Sequence, residues 1–428
     1  MELRGFPKFT TALVLVVMLC VVGLPGISLA QQTPAVIKIG ALYPLSGAHV
    51  YEGKLSREAI LMAVDIVNNS YPDLPLLGAA KAGLPNLGGA KIEMIISDHR
   101  ADPAIARAEA ERLITSEKVV ALIGAYMSSC AATSSDVAEK YGIPYLGADV
   151  SSPTLTTRGY KWFFRTAPED IQLTVNAMKF FQDLSKKTGV KIKNIATVTE
   201  DSLWGQDVTK MVAKYAPEAG FSVVKQIVYP MDSTDLTNEV LTIKKANPDF
   251  IVHASRVGDG ILLQRAYKEY NVAIPLIYTA GAATTANFVD QLGRDADYIF
   301  RRMLFGLDMA KKKPIMGEMA HKYSRRAGIP LDENSARIFD GCLVLFDAIN
   351  RAGSTNPEAI RQALLKTDIP SSQILMPYGG VKFDQTNQNY LVSTPIGQII
   401  NKENFTVWPT DIASREAVFP IPSWRDRK

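Results

Sequence analysis

KIEMIISDHRADPAIARAEAERLITSEKVVALIGAYMSSCAATSSDVAEKYGIPYLG, residues 91–147, is the stretch on which the fold is read. Lys91 to Ser97 is apolar and β-branched enough for a strand. Asp102-Pro103 follows, a suitable N-cap and a proline suited to a first helical turn. Ala106, Ala110, Leu113 and Ile114 then recur at helical spacing, the buried stripe of an amphipathic helix. Val119 to Gly124 is apolar throughout, as a strand covered on both faces must be. Met127 to Tyr141 reads as the next helix and Pro144 to Gly147 as the next strand. Strands separated by helices of this length imply a parallel sheet with helices on both faces.

The same alternation extends outward. Upstream, Val36 to Leu45 is strand-like, and Gly53 to Asn69 carries Leu55, Ala59, Met62, Ala63, Ile66 and Val67 on one helical face. Downstream the series restarts: strand signals at Trp162–Arg165, Lys193–Thr199, Phe221–Tyr229, Asp249–His253 and Ile274–Thr279 alternate with helices, among them one from Pro168 to about Ser185 and one over Gln206–Ala216. Two series in one chain predict two α/β lobes. Ser335 to Arg351 is a helix burying Ile338, Leu343, Leu345, Phe346 and Ile349, with short strands at Gly380–Phe383 and Thr394–Ile400. Gly78 to Gly89 reads as a surface loop, and no internal repeat or low-complexity linker is visible.

The first residues read as an address. Arg4 and Lys8 precede an apolar run from Ala12 to Leu24, and Ser28-Leu29-Ala30 offers a signal-peptidase site. The mature chain is expected to begin near Gln31 and to work in the periplasm; Leu19 before Cys20 is too large for the usual lipoprotein site. At 428 residues the chain is long enough for more than one core. A formal charge of +4 with no basic cluster argues against nucleic acid as a partner. Cys130 and Cys342 could pair after export or stay as buried thiols, and the sequence leaves both open. His49, His99, His253 and His321 lack metal-ligand spacing. There is no CxxC, phosphate loop or nucleophile elbow, and Gly258-Asp259-Gly260 lacks the third glycine of a dinucleotide fingerprint. Neither catalytic residues nor a cofactor or metal is expected.

Small polar residues instead cluster where ligands of open α/β sheets bind, at the carboxyl ends of strands. Tyr126-Met127-Ser128-Ser129-Cys130 follows one strand, and the helix start there can receive a carboxylate with the Ser128 hydroxyl. Asp149-Val150-Ser151-Ser152-Pro153 follows the next. Ser128 or Ser129, and Ser152 before Pro153, could equally be helix caps.

These motifs, in order, resemble the leucine/isoleucine/valine-binding type of extracellular solute-binding protein that serves ABC importers. Ile37-Lys38-Ile39-Gly40 leads to Pro44-Leu45-Ser46-Gly47; Asp98-His99-Arg100-Ala101-Asp102-Pro103 precedes an alanine-rich helix. Tyr141-Gly142-Ile143-Pro144-Tyr145, Arg158-Gly159-Tyr160 with Phe164-Arg165-Thr166, and Gly379-Gly380-Val381-Lys382-Phe383-Asp384 continue the match over nearly the whole mature chain. The resemblance implies a type I periplasmic binding fold, two Rossmann-like lobes joined by three hinge crossings near Thr166-Ala167, Phe305-Leu307 and Thr394-Ile396. Residues 1–30 would be the signal peptide, 31–166 and 307–394 the first lobe, and 167–306 and 395–428 the second with a tail. It also implies a monomer that closes on a small ligand, an amino acid or related carboxylate, and delivers it to a membrane permease. A sensory protein presenting its ligand to a receptor is the alternative with the same fold, and an exported enzyme a third class.

Residue by residue, the resemblance puts the ligand carboxylate on Ser128, its amino group on the Asp149 carbonyl and the Ser151 hydroxyl, and an aromatic lid at Trp204. Ser129, Tyr51 and Glu52 fall at the same mouth. Two positions depart from the pattern. Ala280-Gly281-Ala282 stands where an acid usually meets the ammonium group, and Ser255-Arg256 where an aromatic is usual. Arg256 could take a second carboxylate or lie on the surface, and Glu52 could supply the missing charge.

Overall fold

The computed structural model describes residues 35–427; the signal segment expected over 1–30, with Cys20, lies outside the described residues. Five strands, β1 (Val36–Tyr43), β2 (Lys91–Asp98), β3 (Leu122–Gly124), β4 (Tyr145–Gly147) and β5 (Phe163–Arg165), form a parallel sheet in the order β2-β1-β3-β4-β5. A second sheet repeats that order with β6 (Asn194–Glu200), β7 (Ser222–Tyr229), β8 (Phe250–Ser255), β9 (Leu276–Gly281) and β10 (Phe300–Arg302), arranged β7-β6-β8-β9-β10. A pair, β11 (Asp368–Pro370) and β12 (Gly380–Lys382), stands apart. β13 (Ile396–Ile400) and β14 (Glu403–Trp408) continue the second sheet antiparallel beyond β10.

Local chemistry sets the boundaries. Asp102 caps the helix Pro103–Thr115 by accepting from the Ala104 and Ile105 N–H groups, with Pro103 at the first turn. The helix Asp170–Thr188 opens instead on a reciprocal capping box between Glu169 and Gln172. The helix Glu333–Ala352 is buried on almost every side and packs in the first sheet's core, so the returning chain completes the first lobe. The second sheet is covered by two separate apolar clusters, one containing Tyr229, Leu263 and Tyr278 and the other Phe181, Val208 and Phe250.

One expectation is corrected, one set of strands is added and one open alternative is resolved. The Gly78–Gly89 segment is not a plain surface loop, because Ala79, Leu84 and Leu87 are buried in the first core. Strands β10, β11 and β14 had no sequence signal. Cys130 and Cys342 are both buried free thiols, and burial pushes Cys130 up to about 12, the opposite of an activated nucleophile.

In each sheet the strand order reverses at the first strand of the series, β1 or β6, whose next two strands in sequence lie on opposite sides of it. A crevice opens at the carboxyl ends of such strands. The segments that follow β3, β4, β6, β8 and β9, and the last residue of β10, converge on one pocket between the two sheets.

Candidate functional site

About 460 Å³ of space at the pocket is not filled by protein atoms, part of it open to solvent. The first lobe contributes Glu52, Leu55, Tyr126, Ser128, Asp149, Val150 and Ser151, together with Asp332, Asn334 and Arg337 from the helix Glu333–Ala352 and its cap. The second contributes Trp204, Arg256, Ala280, Gly281, Thr284, Thr285 and Arg302. Seven of the nine expected residues line it; Tyr51, packed against the first core, and Ser129 do not.

Ser128 is the first residue of the helix Ser128–Tyr141, whose N-cap is Met127 with no side-chain cap. Neither Ser128 nor Ser129 is therefore spent on capping, and Ser128 sits buried at a helix start whose first N–H groups point out of the helix. Ser152 is not a cap either: its hydroxyl donates to Asp207 Oδ2 at 2.5 Å, across to the helix Leu203–Glu218 of the second lobe. Tyr126 holds a left-handed backbone (φ 64°) and its N–H donates to Asp149 Oδ1 at 3.3 Å.

The Asp149 carbonyl, expected to face an ammonium group, accepts from Arg337 Nη1 at 3.1 Å. Its carboxylate also reaches the pocket, with Oδ2 left unpartnered. Glu52 Oε2 and Asp332 Oδ2 are buried and unpartnered too. Burial raises all three carboxyls above the ordinary range; Arg337 opposes it at Asp149, the Ser335 backbone N–H at Asp332, and Glu52's own backbone N–H ahead of Arg256 at Glu52.

Arg256 is neither a surface residue nor a free anion receptor. Its Nε donates to Glu200 Oε1 at 3.2 Å, and its guanidinium lies 4.8 Å from the Tyr126 ring centroid and 4.6 Å from that of Trp204. It is thus stacked between an aromatic of each lobe, a cation–π arrangement on both faces. Burial alone would lower its pKa, but Glu200 and Tyr126 more than offset this and keep it charged. Trp204, second in its helix, packs in the second lobe's core and also faces the pocket with Nε1 unpartnered.

Gly281 explains one departure. Its φ of 70°, with a Cβ that would come within 2.3 Å of the Ser255 carbonyl oxygen and 3.2 Å of the Trp204 ring, leaves no room for an acidic side chain.

Sequence reasoning missed Arg302, Asp332, Asn334 and Arg337. Arg302 Nε donates to Glu333 Oε1 at 2.5 Å, and Arg301 Nη2 to Glu333 Oε2 at 3.0 Å. These two arginines overcome the effect of burial and hold Glu333 below the usual carboxylate range. Arg302 Nη1, Arg337 Nε and Asn334 Nδ2 remain unpartnered. One signal for this end of the helix was available: Asp332, three residues before Ser335, is its N-cap, accepting from the Ser335 N–H at 2.8 Å.

Comparison with known proteins bears on the family and the fold. The periplasmic binding protein family profile matches residues 36–402. The Leu/Ile/Val-binding protein homolog 7 of Brucella suis biovar 1 is 29% identical, over 91% of this chain and 96% of that protein. A leucine-binding protein of Thermotoga maritima superposes with a TM-score of 0.73 at 20% identity, covering 86% of this chain and 97% of the other. A solute-binding protein of R. palustris in complex with benzoate gives 0.73 at 19% identity, covering 87% and 95%. With two Rossmann-like lobes of the type I arrangement and a profile match over most of its length, the chain belongs to the periplasmic binding protein family.

Proposed function

We propose that this protein captures an amino acid or a related small carboxylate between its lobes, closes on it by hinge motion, and delivers it to an ABC permease as a periplasmic monomer. The observation that carries the reading is the pocket's polar inventory, drawn from both lobes. Ser128, free of capping duty at a helix start, and the unpartnered nitrogens of Arg337 and Asn334 suit a carboxylate. Unpartnered oxygens of Glu52, Asp149 and Asp332 suit an ammonium group, so the acid missing at Gly281 is replaced from the first lobe. Binding rather than turnover is supported by the absence from the sequence of a recognisable nucleophile–base motif. The names of the Brucella relatives favour an amino acid, and the signal-like first residues favour export.

Isothermal titration calorimetry of ligand-free protein against the amino acids and their deaminated acids tests the reading. One-to-one binding to a member of either panel is expected. A folded protein that binds neither panel would remove it.

A further inference from the structure

We infer that the ligand carries two cationic groups to one carboxylate, as a basic amino acid does; this rests on the amino-acid reading above. Six charged side chains line the pocket: Arg256, Arg302, Arg337, Glu52, Asp149 and Asp332. They are not equally free. Arg256 is committed to Glu200 through a buried ion pair, and Arg302 shares the single carboxylate of Glu333 with Arg301, which leaves one positive charge in excess there. Arg337 bonds only neutral acceptors, the Asn334 side-chain oxygen at 2.7 Å and the Asp149 carbonyl at 3.1 Å, so its charge is set against Asp149 beside it.

The acids have no such partners. Glu52, Asp149 and Asp332 are 4%, 6% and 8% exposed, and each keeps one buried oxygen without a hydrogen bond. His49, 4.0 Å from Glu52, does not neutralise it, because burial lowers its pKa to about 4, and the charge of Arg256, already paired with Glu200, opposes burial at Glu52 only in part. Once the Arg256–Glu200 pair and the Arg301–Glu333–Arg302 group are set aside, three carboxylates face Arg337 and the one positive charge that group leaves over. Buried charge of one sign is costly, so without a ligand burial favours the protonated acids, and a cationic ligand supplies the counter-charge that lets them ionise. A branched-chain amino acid supplies a single ammonium group and an aliphatic body. Apart from two aromatic rings, one already stacked on Arg256 from each lobe, that body would find only Leu55, Val150 and Ala280. A second cationic end in place of the aliphatic one satisfies the surplus.

The test is calorimetry on the full mature chain with L-lysine, L-arginine, L-ornithine, L-leucine, L-isoleucine and L-glutamate. A basic amino acid should bind at least tenfold tighter than leucine. Glu52→Gln and, separately, Asp332→Asn, which keeps a good N-cap residue, should each reduce the basic-to-leucine affinity ratio by about tenfold or more, the loss expected for one charge-assisted hydrogen bond. Two variants guard against one failing to fold. Leucine, isoleucine or glutamate binding tighter than every basic amino acid would overturn this inference and leave the proposed function standing. Binding of no amino acid and no deaminated acid would overturn both.

Discussion

Removing the Ser152 hydroxyl should loosen the two lobes' hold on each other. Ser152 Oγ and Thr154 Oγ1 donate to the same oxygen, Asp207 Oδ2, at 2.5 and 2.8 Å. Both donors lie between β4 and β5 of the first sheet, and Asp207 is on the helix after β6 of the second, so both bonds cross the cleft. Asp207 is buried, and its one ion-pair partner, Lys210 at 3.5 Å, is largely exposed. A hydrogen bond to a carboxylate is worth about 1.5–3 kcal/mol, and the low end applies here because an opened cleft would hydrate both groups. About 1.5 kcal/mol taken from the closed state alone shifts the closed-to-open ratio roughly tenfold. Apparent affinity scales with the competent fraction, so ligand binding by Ser152→Ala should weaken by up to that factor. Calorimetry reads the affinity, and small-angle scattering at limiting ligand reads the population through the radius of gyration. The double variant Ser152→Ala/Thr154→Val should weaken binding further. Unchanged affinity and radius in both variants, with only a lowered melting temperature, would show that these bonds hold the fold and not the closure.

Three further outcomes follow from the site. Ser128→Ala should weaken binding of a carboxylate ligand tenfold or more, from loss of a hydrogen bond worth about 1.5–3 kcal/mol, without lowering the melting temperature of the ligand-free protein, since Met127 and not Ser128 occupies the cap; a lower melting temperature with normal affinity would refute this. Asp170, buried at the start of the helix after β5, has its carboxyl pushed up to about 7 by burial, against the Ser151 hydroxyl and Arg302. The folded chain therefore holds that proton more tightly than the unfolded one, and stability falls as pH rises from about 4 toward 7. Asp170→Asn should then melt higher than wild type at pH 8, by at most about 4 kcal/mol of stability, and no higher at pH 4; an equal effect at both would exclude titration as the cause. Gly281→Asp should not restore an ammonium anchor: the backbone there is strained for any side chain, at about 1–3 kcal/mol, and the Ser255 carbonyl must also move, so a stable variant with tighter ligand binding would contradict the geometry.

What was legible in the sequence is what local physics controls. Strands β1 to β9 announce themselves by apolar runs between helical stripes, and Ser128 and Asp149 stand at their carboxyl ends where such sheets bind ligands, whereas Trp204 and Arg256 were placed by the family resemblance. The repeated strand order of the two sheets leaves no trace as a sequence repeat, because each lobe needs only the same alternation and not the same residues. Strand β10 was invisible for a different reason: Phe300-Arg301-Arg302 reads as a polar surface, yet both arginines are buried on Glu333, some thirty residues away. Arg256 posed the same problem. Its identity suggested an anion receptor, whereas its meaning is fixed by Glu200, 56 positions earlier, and by one aromatic ring from each lobe. A charge in a cleft is available to a ligand only if the fold has not already paired it, and that pairing is long-range in sequence. Read by identity alone, Arg256 offered a second carboxylate on the ligand as one of two alternatives. The engagements point the other way: Arg256 is held by Glu200 and Arg302 by Glu333, whereas Glu52, Asp149 and Asp332 each keep a buried oxygen without a partner.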